Sequence, residues 1–416
     1  MRITKKLITY KKTISSCLHP SCWEKIKSSQ CLIIRHDYNC GYVLNGKPYS
    51  QIMDAFAEIC NKHKISFQVI ATPYSTYYLD KATNYPLTFN RDFLGSEILD
   101  KIFNTYPSKN ETCKFSIAIW KKILKKSNAK IVVGIRPSSA LCAAGKDCKI
   151  KVYDFQHGVI DDAHWWYGQQ ARHFTNKRYL PDGFLCWDQN SINSLRKWTS
   201  EKNIETINVG NPWFLNYFSS KNLFNNHQHE NLFIDNDKPT ILVSLQWGLH
   251  VYYKNHKQWI MPPQLEEAIQ ETSTQYNWLL RLHPIQMQDT NRDETFKYMH
   301  DKFDLLQNID WEISSKLPLP VVLSMTDLHI TDMSSVVIEA SWFGIPSALL
   351  NPLLKKGEKL QNLFIKQRYD GYAFTLNQEK QEILSWITTN LNKKNRQKIK
   401  FSDKNITDFI KNIHNT

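Results

Sequence analysis

The residues of this chain best suited to chemistry sit in clusters that each follow a short apolar, β-branched run. The first reads Phe155-Gln156-His157-Gly158-Val159-Ile160-Asp161-Asp162. An imidazole titrates near neutrality, so His157 could take a proton from an acceptor hydroxyl. Asp161 or Asp162 could fix the tautomer of that histidine or act as the base itself. Two adjacent carboxylates without further ligands make a weak divalent-cation set, so no metal site is expected here. The competing reading is a strand-end histidine that only bonds a turn. Gly158 lets the backbone turn sharply or approach a ligand closely. Trp165, Trp166 and Tyr167 could offer flat apolar faces to a ligand, or could equally pack in a core.

A second cluster, Leu279-Leu280-Arg281-Leu282-His283-Pro284, ends a buried strand in a cation and a histidine, with Pro284 stopping the sheet. Arg281 or His283 could meet phosphate oxygens through charge-assisted hydrogen bonds. The third is the strongest and runs from Leu328 to Leu350. It reads strand, polar turn (Thr331-Asp332-Met333-Ser334-Ser335), helix, glycine stop at Gly344, strand. Thr331, Asp332 or Ser334 could cap that helix, whose first amides would form an anion site. Ser334 and Ser335 would add hydroxyl donors. Glu339, one turn deeper, could reach a ribose hydroxyl or face solvent. Gly134-Ile135-Arg136-Pro137-Ser138-Ser139 and Asp37 also follow strands, but a plain connection is the simpler account of each. No Walker-type phosphate loop, strand-anchored G-x-G-x-x-G or nucleophile-elbow pattern occurs.

Apolar runs that alternate with helical patterns must position these clusters, and such alternation predicts parallel α/β architecture. Strands are expected at Cys31–Arg35, Phe67–Ala71, Ile131–Ile135, Lys151–Phe155, Gly183–Trp187 and Thr206–Val209. A second series is expected at Thr240–Leu245, Trp278–Leu282, Leu328–Thr331 and Ser347–Leu350. Helices are expected at Tyr49–His63, Phe93–Thr105, Lys114–Ser127, Pro263–Tyr276, Glu294–Phe303, Ser334–Phe343 and Lys380–Leu391. The polar, aperiodic stretch Phe218–Lys238 reads as a linker, and Gly210-Asn211-Pro212 as the turn before it. The expected domains are 1–217 and 239–416. Two such domains make a cleft, with ligands beyond the carboxyl ends of the strands.

Composition narrows the partners. Lysine and arginine number 53 against 39 acidic residues, a net charge of +14 over 416 residues, which favours anionic partners. The segment Met1–Gln30 holds seven basic residues and one acidic, which suits either a membrane-surface segment or a solvated tail. Mean hydropathy is −0.48 and no run is long and apolar enough to span a membrane. The nine cysteines form no C-x-x-C pair, and the start of the chain lacks a signal-peptide core. A soluble, cytoplasmic protein with reduced thiols is expected, with peripheral contact at the anionic inner face of the membrane. The basic residues are scattered and no nucleic-acid-binding signature accompanies them, so no nucleic acid is expected as a partner.

Taken in order, Gln156-His157-Gly158, Gly210-Asn211-Pro212, Arg281-Leu282-His283-Pro284 and the stretch from Thr331-Asp332 through Ser334-Ser335, Glu339-Ala340 and Gly344-Ile345-Pro346 resemble bacterial GT-B glycosyltransferases of surface polysaccharide (capsule and lipopolysaccharide) synthesis. Capsule-type transferases, sialyl- and Kdo-transferases and CDP-glycerol glycerophosphotransferases are the most similar by motif. The resemblance is confined to Tyr153–Gly168, Val209–Pro212 and Trp278–Asn351. It implies two Rossmann-like domains facing across a cleft, with a nucleotide-sugar donor held by the C-terminal domain and a glycan or glycolipid acceptor served by the N-terminal one. It further implies that His283, Ser334 and Ser335 face the donor phosphate, with Glu339 near the ribose; Arg281, Pro284, Thr331 and Asp332 are expected beside them in the donor site. His157, with Asp161 and Asp162, would supply the base. A CMP-sugar is the favoured donor, with no cofactor and no metal. The alternatives are a CDP-glycerol or CDP-polyol phosphotransferase, a non-catalytic scaffold, and a nucleic-acid-binding protein.

Overall fold

The computed structural model describes residues 14–44, 46–76, 81–103, 114–160, 165–170, 176–219, 235, 237–247, 260–287, 292–392 and 402–415. The chain divides into two compact units, 1–216 with 402–416, and 217–401. Each carries a six-stranded, all-parallel sheet.

In the first unit the strands are β1 (Cys31–Arg35), β4 (Phe67–Ala71), β5 (Ile131–Gly134), β6 (Lys151–Phe155), β7 (Gly183–Cys186) and β8 (Glu205–Asn208), in the order β4-β1-β5-β6-β7-β8. A small antiparallel pair, β2 (Tyr42–Leu44) and β3 (Lys47–Tyr49), stands apart. The central strands are buried throughout because helices cover both faces of a parallel sheet. One core joins Leu32, Val132 and Val152 with Trp120, Ile123 and Leu141 from the covering helices. The helix Ser139–Cys148 begins where Ser138 Oγ accepts the Leu141 amide at 3.2 Å. The stretch from Gly134 is thus a strand–helix connection. At the end of the last strand Gly210 has φ +78°, and Asn211 Oδ1 accepts the Trp213 amide at 3.0 Å to start the helix Pro212–Ser219.

In the second unit β9 (Thr240–Ser244), β10 (Asn277–Arg281), β11 (Ile309–Asp310), β12 (Leu328–Thr331), β13 (Ser347–Leu349) and β14 (Ala373–Thr375) run in the order β11-β10-β9-β12-β13-β14. The register aligns Arg281 with Ser244 and Thr331 with Ser244, so three central strands finish at one level. Both units have the Rossmann-like form expected from the alternation of strands and helices.

Two differences from the sequence reading are instructive. The helix expected over Ser334–Phe343 begins later, at Val336, and is seven residues long, Val336–Trp342. The C-terminal helix Lys404–Asn415 belongs to the first unit rather than the second. It buries Ile406, Phe409, Ile410 and Ile413, with the Phe409 ring 5.3 Å from that of Tyr153 on β6. The expected linker over 218–238 lies almost wholly outside the described residues. Truncating Ile410 to alanine should cost about 2–5 kcal/mol of the first unit's stability. Limited proteolysis with urea denaturation checks this, and an unchanged first-unit transition would place that helix elsewhere.

Candidate functional site

The second unit concentrates polar groups at the carboxyl edge of its sheet, where a parallel sheet leaves room for ligands. Gln246 follows β9, His283 follows β10, and Asp332 to Ser335 follow β12. A hydrogen-bonded chain links these three strand ends. The His283 amide donates to Gln286 Oε1 at 2.7 Å, Gln286 Nε2 donates to the Gln246 carbonyl at 3.5 Å, and Gln246 Oε1 accepts the Met333 amide at 2.7 Å. Gln286 is buried, so its amide holds the turn begun by Pro284 in a fixed shape.

His283 is a neutral donor by construction. Its Nδ1 accepts the Ile285 amide at 3.2 Å, which leaves the ring proton on Nε2. Burial pulls its pKa down to about 4, so the imidazole stays uncharged at neutral pH. Glu339 is its inverse. The side chain is 7% exposed, its Oε2 has no hydrogen-bond partner, and burial pushes the carboxyl up to about 8 against smaller opposing effects of its own amide and the Arg281 charge. A buried carboxyl oxygen without a partner is costly and calls for an unfilled role. At neutral pH Glu339 is therefore mainly an uncharged acid, able to donate as well as accept.

The other expected donor-site residues divide sharply. Thr331 is buried, its hydroxyl donating to the Ser244 carbonyl at 2.7 Å and accepting the Ser334 amide at 3.4 Å. Asp332 is buried and accepts Asn351 Nδ2 at 2.5 Å. Both hold the loop rather than face outward. Arg281 directs its guanidinium to the carbonyls of Ser314 and of Leu317, the latter at 2.7 Å, beyond the helix Ile313–Lys316. Ser334 caps locally, its Oγ accepting the Val336 amide at 3.3 Å while its carbonyl accepts that of Val337 at 3.2 Å. The expected cradle of helix amides is thus largely occupied by the chain itself. Among the described residues the Ser335 amide and hydroxyl have no partner, and Ser335 is half-buried. Gln246 and Gln286 were missed by sequence reasoning. Gln246 carried the same signal as the others, a polar residue directly after an apolar strand.

The first unit presents a different set. His157, half-buried beyond β6, places Nδ1 2.8 Å from the Tyr167 hydroxyl. Gln156 is a brace, its Nε2 donating to the Gly158 carbonyl at 2.9 Å and its Oε1 accepting the Trp187 amide at 2.7 Å. Beneath the turn Asp154 is fully buried and accepts the Arg136 amide and Trp166 Nε1, each at 2.8 Å. Burial raises its pKa to about 7, with those donors opposing the rise. The Arg136 guanidinium lies 5.4 Å from the Trp166 ring centroid, in the left-handed backbone region at φ +48°. Burial holds His36 below its ordinary pKa, against the raising effect of the Asp37 charge and with a smaller lowering effect of Arg136. Tyr167 is buried against Phe184, so its ring offers no open platform, while Trp166 is half-buried and the Trp165 side chain lies outside the described residues. Asp37 is a loop tie, accepting the Ser75 hydroxyl at 2.5 Å and the Thr76 amide at 2.8 Å. Asp161 and Asp162 lie outside the described residues. Among the described residues, no three His, Cys, Asp or Glu side chains gather in a way that could hold a metal.

No family model and no curated protein matches the sequence. Solved structures do share its fold. A UDP-GlcNAc 2-epimerase from Neisseria meningitidis, bound to UDP-GlcNAc, matches with a TM-score of 0.56 at 12% identity, over 93% of this chain and 100% of its own. The UDP-GlcNAc 2-epimerase of Methanocaldococcus jannaschii gives 0.55 at 13%, over 93% and 99%. The wall teichoic acid polymerase TagF gives 0.56 at 14%, over 99% and 92%. The chain therefore has the GT-B fold of two Rossmann-like domains, as its motifs implied.

The Glu339 carboxyl gives a signed pH test. Folding raises its pKa from 4.5 to about 8, so its contribution to stability is complete below pH 4.5 and is lost as pH climbs through about 8. Glu339→Gln removes that titration. Relative to the parent, the variant should become progressively more stable across this window in urea denaturation. Parallel pH profiles would show that the carboxyl is not buried uncharged.

Proposed function

We propose that this protein is a GT-B-type transferase that moves a group from a cytidine-nucleotide donor to a surface-glycan acceptor, with a CMP-sugar as the favoured donor. The observation that carries this reading is that the second unit holds a neutral Nε2–H donor on His283, just after a strand, and a buried, partnerless carboxyl oxygen on Glu339, in the helix that follows the β12 turn. A nucleotide needs both kinds of group. Its phosphate oxygens accept hydrogen bonds, and its ribose hydroxyls both donate and accept.

Breaking the bond from the transferred group to the nucleotide leaves negative charge on the departing phosphate. Donors already aimed at that charge stabilise the transition state more than the ground state. His283 Nε2–H and the Ser335 amide and hydroxyl suit this role, and none of them has to reorganise or lose a proton. Glu339 suits a ribose hydroxyl, which would supply the partner its Oε2 lacks. The acceptor hydroxyl must lose a proton as it attacks. His157, whose Nδ1 lies 2.8 Å from the Tyr167 hydroxyl, suits that step as the imidazole base of the first unit. Burial holds the Tyr167 phenol far above its ordinary pKa, so it remains neutral.

A second reading, a CDP-polyol phosphotransferase, is favoured by the likeness to TagF, one of whose structures was soaked with CDPG. It would use the same anion-binding groups but attack phosphorus rather than carbon.

Thermal unfolding with CMP, CDP and UDP tests the donor class, because a ligand that binds only the folded state raises the midpoint by mass action. Stabilisation by CMP or CDP above UDP supports the cytidine donor. Because both readings leave CMP, its release from a CMP-sugar supports the sugar transferase and its release from CDP-glycerol the phosphotransferase. A response to UDP alone, or to none, overturns the cytidine donor. His283→Ala should abolish the stabilisation. His157→Ala should leave it intact while cutting nucleotide release from the matching donor about 10²–10⁴-fold. Full turnover in folded His157→Ala would remove that residue from the mechanism.

A further inference from the structure

The helix Asn90–Ile102 is apolar on the side facing away from its core. Its inner face buries Phe93, Ser96 and Asp100. Outward it presents Leu94, Ile98 and Ile102, four residues apart and so on one stripe, with Leu99 and Phe103 beside them. These five side chains are between 38% and 67% exposed. A surface helix normally turns polar residues to water, so a row of exposed aliphatics marks a contact surface. Residues 14–18 extend it. The Ser16 carbonyl accepts Asn90 Nδ2 at 3.4 Å, and Ile14 and Leu18 are exposed.

The same surface is strongly basic along its flank. A hollow of about 530 Å³, lined by Leu99, Trp23, Phe115 and Lys122, separates this helix from the helix Lys114–Ser127. A second, of about 800 Å³, shares Ala118 and Lys122 with it and is lined by Lys114, Lys121, Lys125, Lys126 and Arg178. Among the described residues the carboxylates paired with these cations are Asp147, bound by Lys121 at 3.1 Å and Arg178 at 2.9 Å, and Glu24, 3.7 Å from Lys126. Asp92, at the smaller hollow, accepts Trp23 Nε1 at 3.1 Å and the Ser21 hydroxyl. Lys122 lies 4.1 Å from the Trp23 ring centroid. The cations outnumber the carboxylates that face them.

We propose that this face of the first unit docks on an anionic lipid bilayer. The Leu94, Ile98 and Ile102 stripe enters the headgroup boundary, and the lysines of the neighbouring helix meet lipid phosphates. Apolar burial and phosphate attraction act together in such contacts, and long lysine stems let the ammonium groups reach outward. A nucleic acid or an acidic glycan would use the cations but leave the aliphatic stripe in water. This surface is independent of the nucleotide-site reading.

Co-sedimentation of the full chain with phosphatidylcholine vesicles, with and without phosphatidylglycerol, tests the proposal. Binding is expected only with phosphatidylglycerol and should weaken with added salt. Lys114→Glu with Lys125→Glu should reduce it roughly tenfold or more. Ile98→Ser with Ile102→Ser, at exposed positions where the fold should tolerate the change, should reduce it comparably. An unchanged circular dichroism melt establishes that each variant is folded. Retention of binding by either folded variant would overturn the proposal. So would a failure to bind phosphatidylglycerol vesicles, or a parent dimer in sedimentation velocity that the isoleucine variant dissolves, since a second copy would then cover the stripe.

Discussion

A parallel sheet ends its strands along one edge, and the polar groups buried there have to find partners. In the second unit that constraint falls on β9, flanked on both sides by strands finishing at the level of Ser244. Gln246, directly after it, meets the requirement in two directions. Its side chain accepts the Met333 amide after β12, and its carbonyl accepts Gln286 from the turn after β10. Without that bridge the loops carrying His283 and Ser335 would each need a separate anchor. Buried polar networks of this kind define a unique arrangement when every member is satisfied. Glu339 Oε2, in the helix that follows the Met333 turn, is a buried polar atom left without a partner.

Burial, rather than ion pairing, decides the charge states in that unit. It holds His283 neutral and Glu339 mainly protonated, opposite to the charges each would carry in water at mildly acid pH. The same physics acts on His329, fully buried on β12, with Nδ1 2.8 Å from the Ser347 hydroxyl and Nε2 3.0 Å from that of Ser244. Burial takes its pKa down to about 3, yet both ring nitrogens are occupied within the fold. His329 is a structural histidine inside a strand, whereas His283 follows a strand of the same sheet with its Nδ1 engaged by the Ile285 amide. Partners of the second nitrogen, not the pKa, separate the two.

Much of the fold was legible because long apolar runs in parallel sheets leave little ambiguity. The strands Cys31–Arg35, Phe67–Ala71, Lys151–Phe155 and Leu328–Thr331 stand where the sequence puts them. The edge strands β11 and β14 and the β2–β3 pair, two or three residues each, were not legible, since so short a run carries no periodicity. The C-terminal helix Lys404–Asn415 was not among the expected helices, and apolar spacing would in any case say only that a helix packs, not against what. At the site, His283 was readable from its position after a strand. The commitment of Thr331, Asp332 and Arg281 to neighbouring backbone and side chains was not, because their partners lie 19 to 87 positions away along the chain. Asp154 carried a signal that went unread: a carboxylate in the middle of an apolar strand must be buried, and a buried carboxylate must organise donors around it.

The central claim is that His283 is an uncharged Nε2–H donor facing a nucleotide phosphate. Side-chain nitrogen-15 spectra of histidine-labelled protein, assigned with His283→Ala and recorded with and without the stabilising nucleotide, test it most directly. The account predicts one resonance pair with Nδ1 bare and Nε2 protonated, unchanged from neutrality down to about pH 5, whose Nε2 moves on nucleotide addition. An imidazolium that titrates near pH 6.5, or a spectrum indifferent to every nucleotide, would contradict it.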